Sequence, residues 1–429
     1  MATFSPALAH VKEHLEQCLP QDSIFKICAD IGHRWRKRKL DPALTVQLCL
    51  LQLLANVALR GLRRVACVSV SAQAICAAKM RLPVKLFNRL IEHSLPVGTS
   101  AARMYKGLAI YIVDGVGFMT PDTAPLASRY GKPKNQRGTV HGYPAPKLLT
   151  LMQAGGGFIV KTIVLPWARQ EFVCLSRLFK AIVAGSILLG DRGLVSFAHL
   201  ALLVGRGLHG CFRLPRGQVA FGRGRKSRRV IKRLGKQDLL VAWTGTQRPK
   251  WLSKTRWAGI SGQVLTLRQI GFRVCRKGFR PHWAWIITTL VDPEAYPAQE
   301  LIELYSERWE IEVHFRDLKR TLSLNMISVK TAPGVQKEVL ALVLLYNLIR
   351  RVMHEAARRQ GVPPDRISFI DAMQWLLYSP PGTPLANLAV NQRRTRLAPP
   401  RRVKNGRRRF PQLNQPRAAL CKPPCVVKI

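Results

Sequence analysis

Acids are scarce in this chain, 23 Asp and Glu against 69 Lys and Arg, so their placement carries information. Two of them follow short apolar runs. Leu108–Val113 leads into Asp114-Gly115, and Ser186–Leu189 into Gly190-Asp191-Arg192-Gly193. Both runs read as buried strands, which puts Asp114 and Asp191 at carboxyl ends, where α/β sheets gather ligands. A nearby glycine leaves room for a close approach, although Asp-Gly alone is also what a plain turn looks like. The third acid lies on a helix expected after Pro297. At about 100° per residue, Tyr305, Arg308, Glu312, Arg316 and Lys319 share one face. Leu304, Ile311, Phe315 and Leu318 form an apolar stripe beside it, and Glu303, Glu307, Glu310 and Asp317 fall on the far side. Glu312 is then the acid that borders the core among cations. Pairing with Arg308 and Arg316 at helical spacing would explain the glutamate, but not the tyrosine and third cation on its face. Three carboxylates from two strand ends and a helix can hold two Mg2+ or Mn2+ ions, about 3.5–4 Å apart, the arrangement that drives phosphoryl transfer. Flanking Arg and Lys would grip phosphates.

The whole chain fits that chemistry. Its 429 residues suggest two or three domains, and 47% hydrophobic residues exclude global disorder. A formal charge of +46 makes nucleic acid the default partner, ahead of an acidic ligand or a membrane surface. The first twenty residues carry no secretory pattern. The long apolar stretch Ala43–Leu59 holds Gln47, Gln52 and Asn56, so no membrane span is expected. Ten cysteines without paired spacing fit a reducing, cytoplasmic, nucleoid-associated setting, and Cys421-x3-Cys425 lacks a histidine partner for zinc.

The pattern divides the chain. Residues 1–106 read as a helical N-terminal domain that binds DNA, with the basic run Arg34, Arg36, Lys37, Arg38 and Lys39. Residues 107–214 read as strands and helices of an α/β core, with a hairpin at Gly155-Gly156-Gly157 and a helix over Glu171–Val183. Residues 215–290 form a β-rich insertion with a basic loop; Arg213–Lys236 holds ten Lys or Arg and no acid. Residues 291–360 are core helices, and 361–429 a basic, largely disordered tail, whose last stretch from Arg393 holds twelve Lys or Arg and no acid.

Tyr305-x2-Arg308-x3-Glu312-x6-Lys319 resembles the Y-x2-R-x3-E-x6-K signature of bacterial insertion-sequence transposases, the insertion-sequence-four family of DDE enzymes. Val113-Asp114-Gly115 and Leu189-Gly190-Asp191-Arg192-Gly193 resemble the family's two aspartate strands. The resemblance implies an RNase H-like mixed-sheet core interrupted by a β-rich insertion. Within it, Asp114, Asp191 and Glu312 would be the catalytic, metal-binding triad for two divalent cations. Tyr305, Arg308 and Lys319 would contact DNA phosphates; Arg316, a cation on the same face, would join them, and Trp309 would either stack on a flipped base or sit in the core. It also implies cut-and-paste DNA transposition: nicking at the element's terminal inverted repeats, then attack by the freed 3′-hydroxyl, by a homodimer that engages element ends and target double-stranded DNA. Two alternatives remain at this level, an RNase H-like nuclease and a noncatalytic nucleic-acid-binding protein. Asp122, near the first strand, is a competitor for the role of Asp114.

Overall fold

The computed structural model describes residues 5–36, 38–134, 138, 142–220, 228–275 and 281–391. Lys37, part of the basic loop, Cys421, Cys425 and the tail from residue 392 lie outside the described residues. The chain forms two compact units. The first takes residues up to Ser186 and returns at Arg308; the second takes Ile187–Glu307.

The first unit opens with helices α1 (Pro6–Cys18), α2 (Gln21–Asp30), α3 (Pro42–Leu54), α4 (Leu59–Ala66), α5 (Ala72–Arg81) and α6 (Val84–Ser94). Their starts are written locally. The side chains of Ser5, Asp41 and Ser71 accept hydrogen bonds from the first turns of α1, α3 and α5, and Pro6 and Pro42 occupy first helical positions that need no N–H. Strands β1 (Met104–Tyr105) and β2 (Leu108–Gly117) follow, then α7 (Ala124–Tyr130), β3 (Lys147–Gln153) and β4 (Ile159–Leu165). All pair antiparallel, with β2 and β4 on either side of β3 and β1 on β2.

The second unit contains β5 (Ile187–Gly190), α8 (Phe197–Val204), β6 (His209–Arg213), β7 (Arg228–Gly235), β8 (Asp238–Thr244), α9 (Lys254–Ser261), β9 (Val264–Val274), β10 (His282–Thr288) and α10 (Ala298–Ser306). β5 and β6 are parallel, as a connection through α8 permits, and the order continues antiparallel through β10, β9, β8 and β7. Arg268 on β9 is 1% exposed, held by Asp238 at 2.8 and 2.5 Å and by the Tyr296 carbonyl at 2.5 Å. Such a cation is tolerable in a core because its donors are met.

The chain then re-enters the first unit with α11 (Glu310–Arg316), α12 (Ala332–Gln360) and α13 (Phe369–Tyr378). α12 is apolar and long enough to cross a membrane by composition, yet 78% of its most apolar stretch is buried: it is the central core helix, packed on α3, α6, α13 and β4. Two expectations need correction. Residues 361–391 are not a disordered tail, because Phe369, Ala372, Trp375 and Leu376 give α13 an apolar face that packs on α1 and α12. Glu171–Val183 is not an α-helix but two tight 3-10 turns, Glu171–Arg177 and Phe179–Ala181.

Candidate active site

Asp114 stands inside β2, not at its end. Residues 114–117 remain paired with 150–147 of β3, so Asp114-Gly115 continues the strand instead of turning. Gly115 serves another purpose: a Cβ there would overlap the carboxyl group of Glu171. One Asp114 oxygen, Oδ1, accepts from the Gly115 N–H at 2.8 Å, and Oδ2 accepts from the Arg308 guanidinium at 3.2 Å. The Arg308 side chain is 6% exposed and that of Asp114 24%, so this ion pair is shielded from most solvent.

Arg308 lies where the helical run changes pitch. α10 ends at Ser306, Glu307–Trp309 is a 3-10 turn, α11 follows, and Asp317–Thr321 is a π-turn. The changes in residues per turn shift the phase assumed by an ideal wheel. The expected far-side acids Glu310 and Asp317 therefore turn inward. The Glu310 carboxylate accepts from the Gly155 N–H at 3.0 Å and lies 3.4 Å from His314 Nε2; Asp317 is buried. Burial alone would raise Glu310, but His314, Arg103 and the Gly155 N–H hold its carboxyl below the usual range. Burial raises Asp317 despite neighbouring cations. Glu312 faces solvent. Ile311, His314 and Phe315 are buried, and α11 packs against β2, the strand of Asp114.

The expected DNA-contact residues are placed unequally. Arg316 is exposed and pairs with Asp317 at 3.7 Å. Lys319 is half-buried, which lowers its ammonium from the ordinary value. Trp309 is 47% exposed, so the core alternative for it does not hold; the Arg308 guanidinium lies 5.0 Å from its ring centre. Asp122 pairs with Lys132 on the surface at 2.6 Å. Asp191, in the second unit, directly follows β5 and is half-exposed; its carbonyl accepts from Leu194, and Gly193 has open space where a side chain would stand. Tyr305, on α10 of the same unit, is buried. Thus Asp114, Arg308, Trp309, Glu312, Arg316 and Lys319 share the first unit, while Asp191 and Tyr305 belong to the second.

Residues 105–348 match the family model of the transposase DDE domain, more than half of the chain and a stretch that includes Asp114, Asp191 and Glu312. The chain belongs to the DDE transposase family. It is 25% identical over 308 residues to transposase InsG of insertion sequence element IS4 from Escherichia coli K12, covering 71% of this chain and 66% of that one. It is 28% identical over 111 residues to the putative transposase InsZ of the same organism, covering 26% of this chain and 37% of the relative. The chain therefore spans less than two thirds of the length of either relative. A solved piggyBac transposase synaptic complex with hairpin DNA is similar at a TM-score of 0.46 and 11% identity, covering 87% of this chain and 80% of that one.

The three residues expected to be donors, Asp114, Asp191 and Glu312, all carry carboxylate oxygens, the hard chemistry that suits Mg2+ or Mn2+. Among the described residues no three His, Cys, Asp or Glu side chains stand grouped for a metal, so the donors fit by type and not as a ready-made cluster. The sequence reading missed Glu171 at Gly115, and Glu310 and His314 on the buried face of α11. The glutamate gave no periodic signal, and the other two were hidden by the change of helical phase.

Proposed function

We propose that this chain is a cut-and-paste transposase, which nicks DNA at the terminal inverted repeats of a mobile element and joins the freed 3′-hydroxyl to another strand. The placement of Asp114 on β2 against α11, the helix of Glu312, within a DDE transposase domain is the observation that carries this reading. Asp114, Asp191 and Glu312 would hold the divalent ions. When bound, those ions supply charge stabilisation for the attacking and leaving oxygens of phosphoryl transfer.

The chain's own groups do the remaining work. Exposed Arg316 and half-buried Lys319 follow Glu312 and would neutralise backbone phosphates on either side of the scissile bond. Arg308, bonded to Asp114 Oδ2 at 3.2 Å, would hold that carboxylate aimed before DNA arrives. Half-exposed Trp309 offers a flat surface to an unstacked base. Tyr305 is buried, so its contact with DNA would require α10 to shift. An RNase H-like core, a homodimer across paired ends and attack on target DNA complete the proposal.

Purified protein incubated with Mg2+ and linear DNA bearing the element's terminal repeats tests it. Hairpin or joined products are expected. Degradation without joined products would indicate a nuclease, and retardation without breakage a binding protein; either result overturns the proposal.

A further inference from the structure

α11 has only seven residues and is flanked by a 3-10 turn and a π-turn. A helix that short does not hold itself in water, so contacts outside it must set its axis and rotation. Ile311 and Phe315 bury its apolar side, and beside them polar contacts from α11 and α12 converge on the turn between β3 and β4. Glu310 takes the Gly155 N–H at 3.0 Å. The Gly156 carbonyl receives Arg350 through Nε at 2.9 Å and a terminal nitrogen at 2.7 Å, and His354 at 3.1 Å. The Tyr346 hydroxyl donates to the Gly157 carbonyl at 3.0 Å and lies 2.8 Å from His314 Nδ1. Gly157 has φ +68°, and a Cβ there would fall 2.6 Å from the His314 ring and 3.0 Å from Arg350. The triple glycine thus admits side chains of α11 and α12 against its backbone.

Tyr346, Arg350 and His314 are 0, 2 and 3% exposed. Cohesion alone does not ask for such a network, because well-packed apolar groups of similar volume often stabilise a core as well or better. A buried polar network of this kind instead selects one arrangement. Its two members on α11, Glu310 and His314, are four residues apart and face inward, and Glu312 lies between them on the opposite side. Fixing that pair fixes the rotation of the helix and hence where Glu312 points.

We propose that Tyr346 is a positioning residue for Glu312, acting through His314 and the Gly157 carbonyl to hold α11 in one rotation against β2. The inference rests on the reading of Glu312 as a catalytic carboxylate. Arg350 anchors the other side of the same turn.

Tyr346→Phe removes one oxygen and keeps the ring, so folding is preserved; a thermal melt checks this. Expected are end binding unchanged, single-turnover cleavage in Mg2+ slowed about tenfold to 100-fold, and amide exchange across residues 310–316 accelerated about tenfold relative to α13. Combined with Glu312→Asp, Tyr346→Phe should cost less than it does alone, because the carboxylate is already displaced. If Tyr346→Phe leaves both cleavage and α11 exchange at the parent level, or slows cleavage by the same factor with Glu312→Asp present, the inference is wrong. Glu312→Gln separates the two claims. Normal cleavage by Glu312→Gln removes the catalytic reading of that residue, whereas loss of cleavage there with a fully active Tyr346→Phe removes only the positioning role.

Discussion

The Arg308 guanidinium is bonded to the Asp114 carboxylate at 3.2 Å across 194 residues of sequence, joining the turn before α11 to the middle of β2. The arginine of the Tyr-Arg-Glu-Lys pattern is therefore also an intramolecular counter-ion for the first aspartate. Arg308→Met should lower stability by about 2 kcal/mol, because it strands a partly buried carboxylate. Asp114→Asn added to Arg308→Met should recover part of that loss. Urea unfolding of the single and double variants measures both, and strictly additive losses would contradict the pairing.

Gly115→Ala should destabilise by about 1–3 kcal/mol, since the new methyl group enters the space of the Glu171 carboxyl. Glu171→Ala should relieve most of that cost in the double variant. Thermal melting of the four proteins decides; an unrelieved loss would place the constraint elsewhere.

Acid should loosen the first unit as pH falls from about 6.5 towards 4. His14 is lowered to about 4 by burial and by the nearby His10, and His354 to about 4 by burial and by Arg350, from an ordinary 6.5. Both are favoured neutral when folded and bind protons more readily when unfolded. The stability they contribute is complete above about pH 6.5 and declines as pH falls towards 4. His14→Phe, which keeps an aromatic beside Trp375, should flatten the melting temperature across that window. A slope equal to the parent's would show that His14 is not a source of it.

Lys319→Ala should weaken DNA binding at low salt and reduce the slope of log K against log salt by about one. Filter binding between low and moderate salt checks this. An unchanged slope would remove Lys319 from the phosphate contacts.

Much of the plan was legible because it was written in local chemistry. The apolar runs marked β2 and β5 to within a few residues, and Thr331 and Gly361 bracket α12 as its caps. The site was less legible. Asp114-Gly115 has the composition of a turn, but pairing with β3 and contact with Glu171 override that local preference. The wheel over 298–319 assumed a constant pitch; one 3-10 and one π-turn shifted the phase, and Glu310 and Asp317 turn inward. Such changes depend on tertiary contacts that residue spacing does not encode. The glycine turn at 155–157 was expected to be a hairpin and nothing more. Its role as the meeting point of α11 and α12 depends on residues some 190 positions away.

The central claim is that Asp114, Asp191 and Glu312 act together on one phosphodiester. The direct measurement is cleavage of an end-bearing duplex in Mg2+ by Asp114→Asn, Asp191→Asn and Glu312→Gln, alongside binding of the same duplex. Each variant should bind the end about as the parent does and cleave at least about a thousandfold more slowly, since neutralising a carboxylate removes metal affinity and leaves the basic surface. Parent-level cleavage by any one of the three would contradict the account.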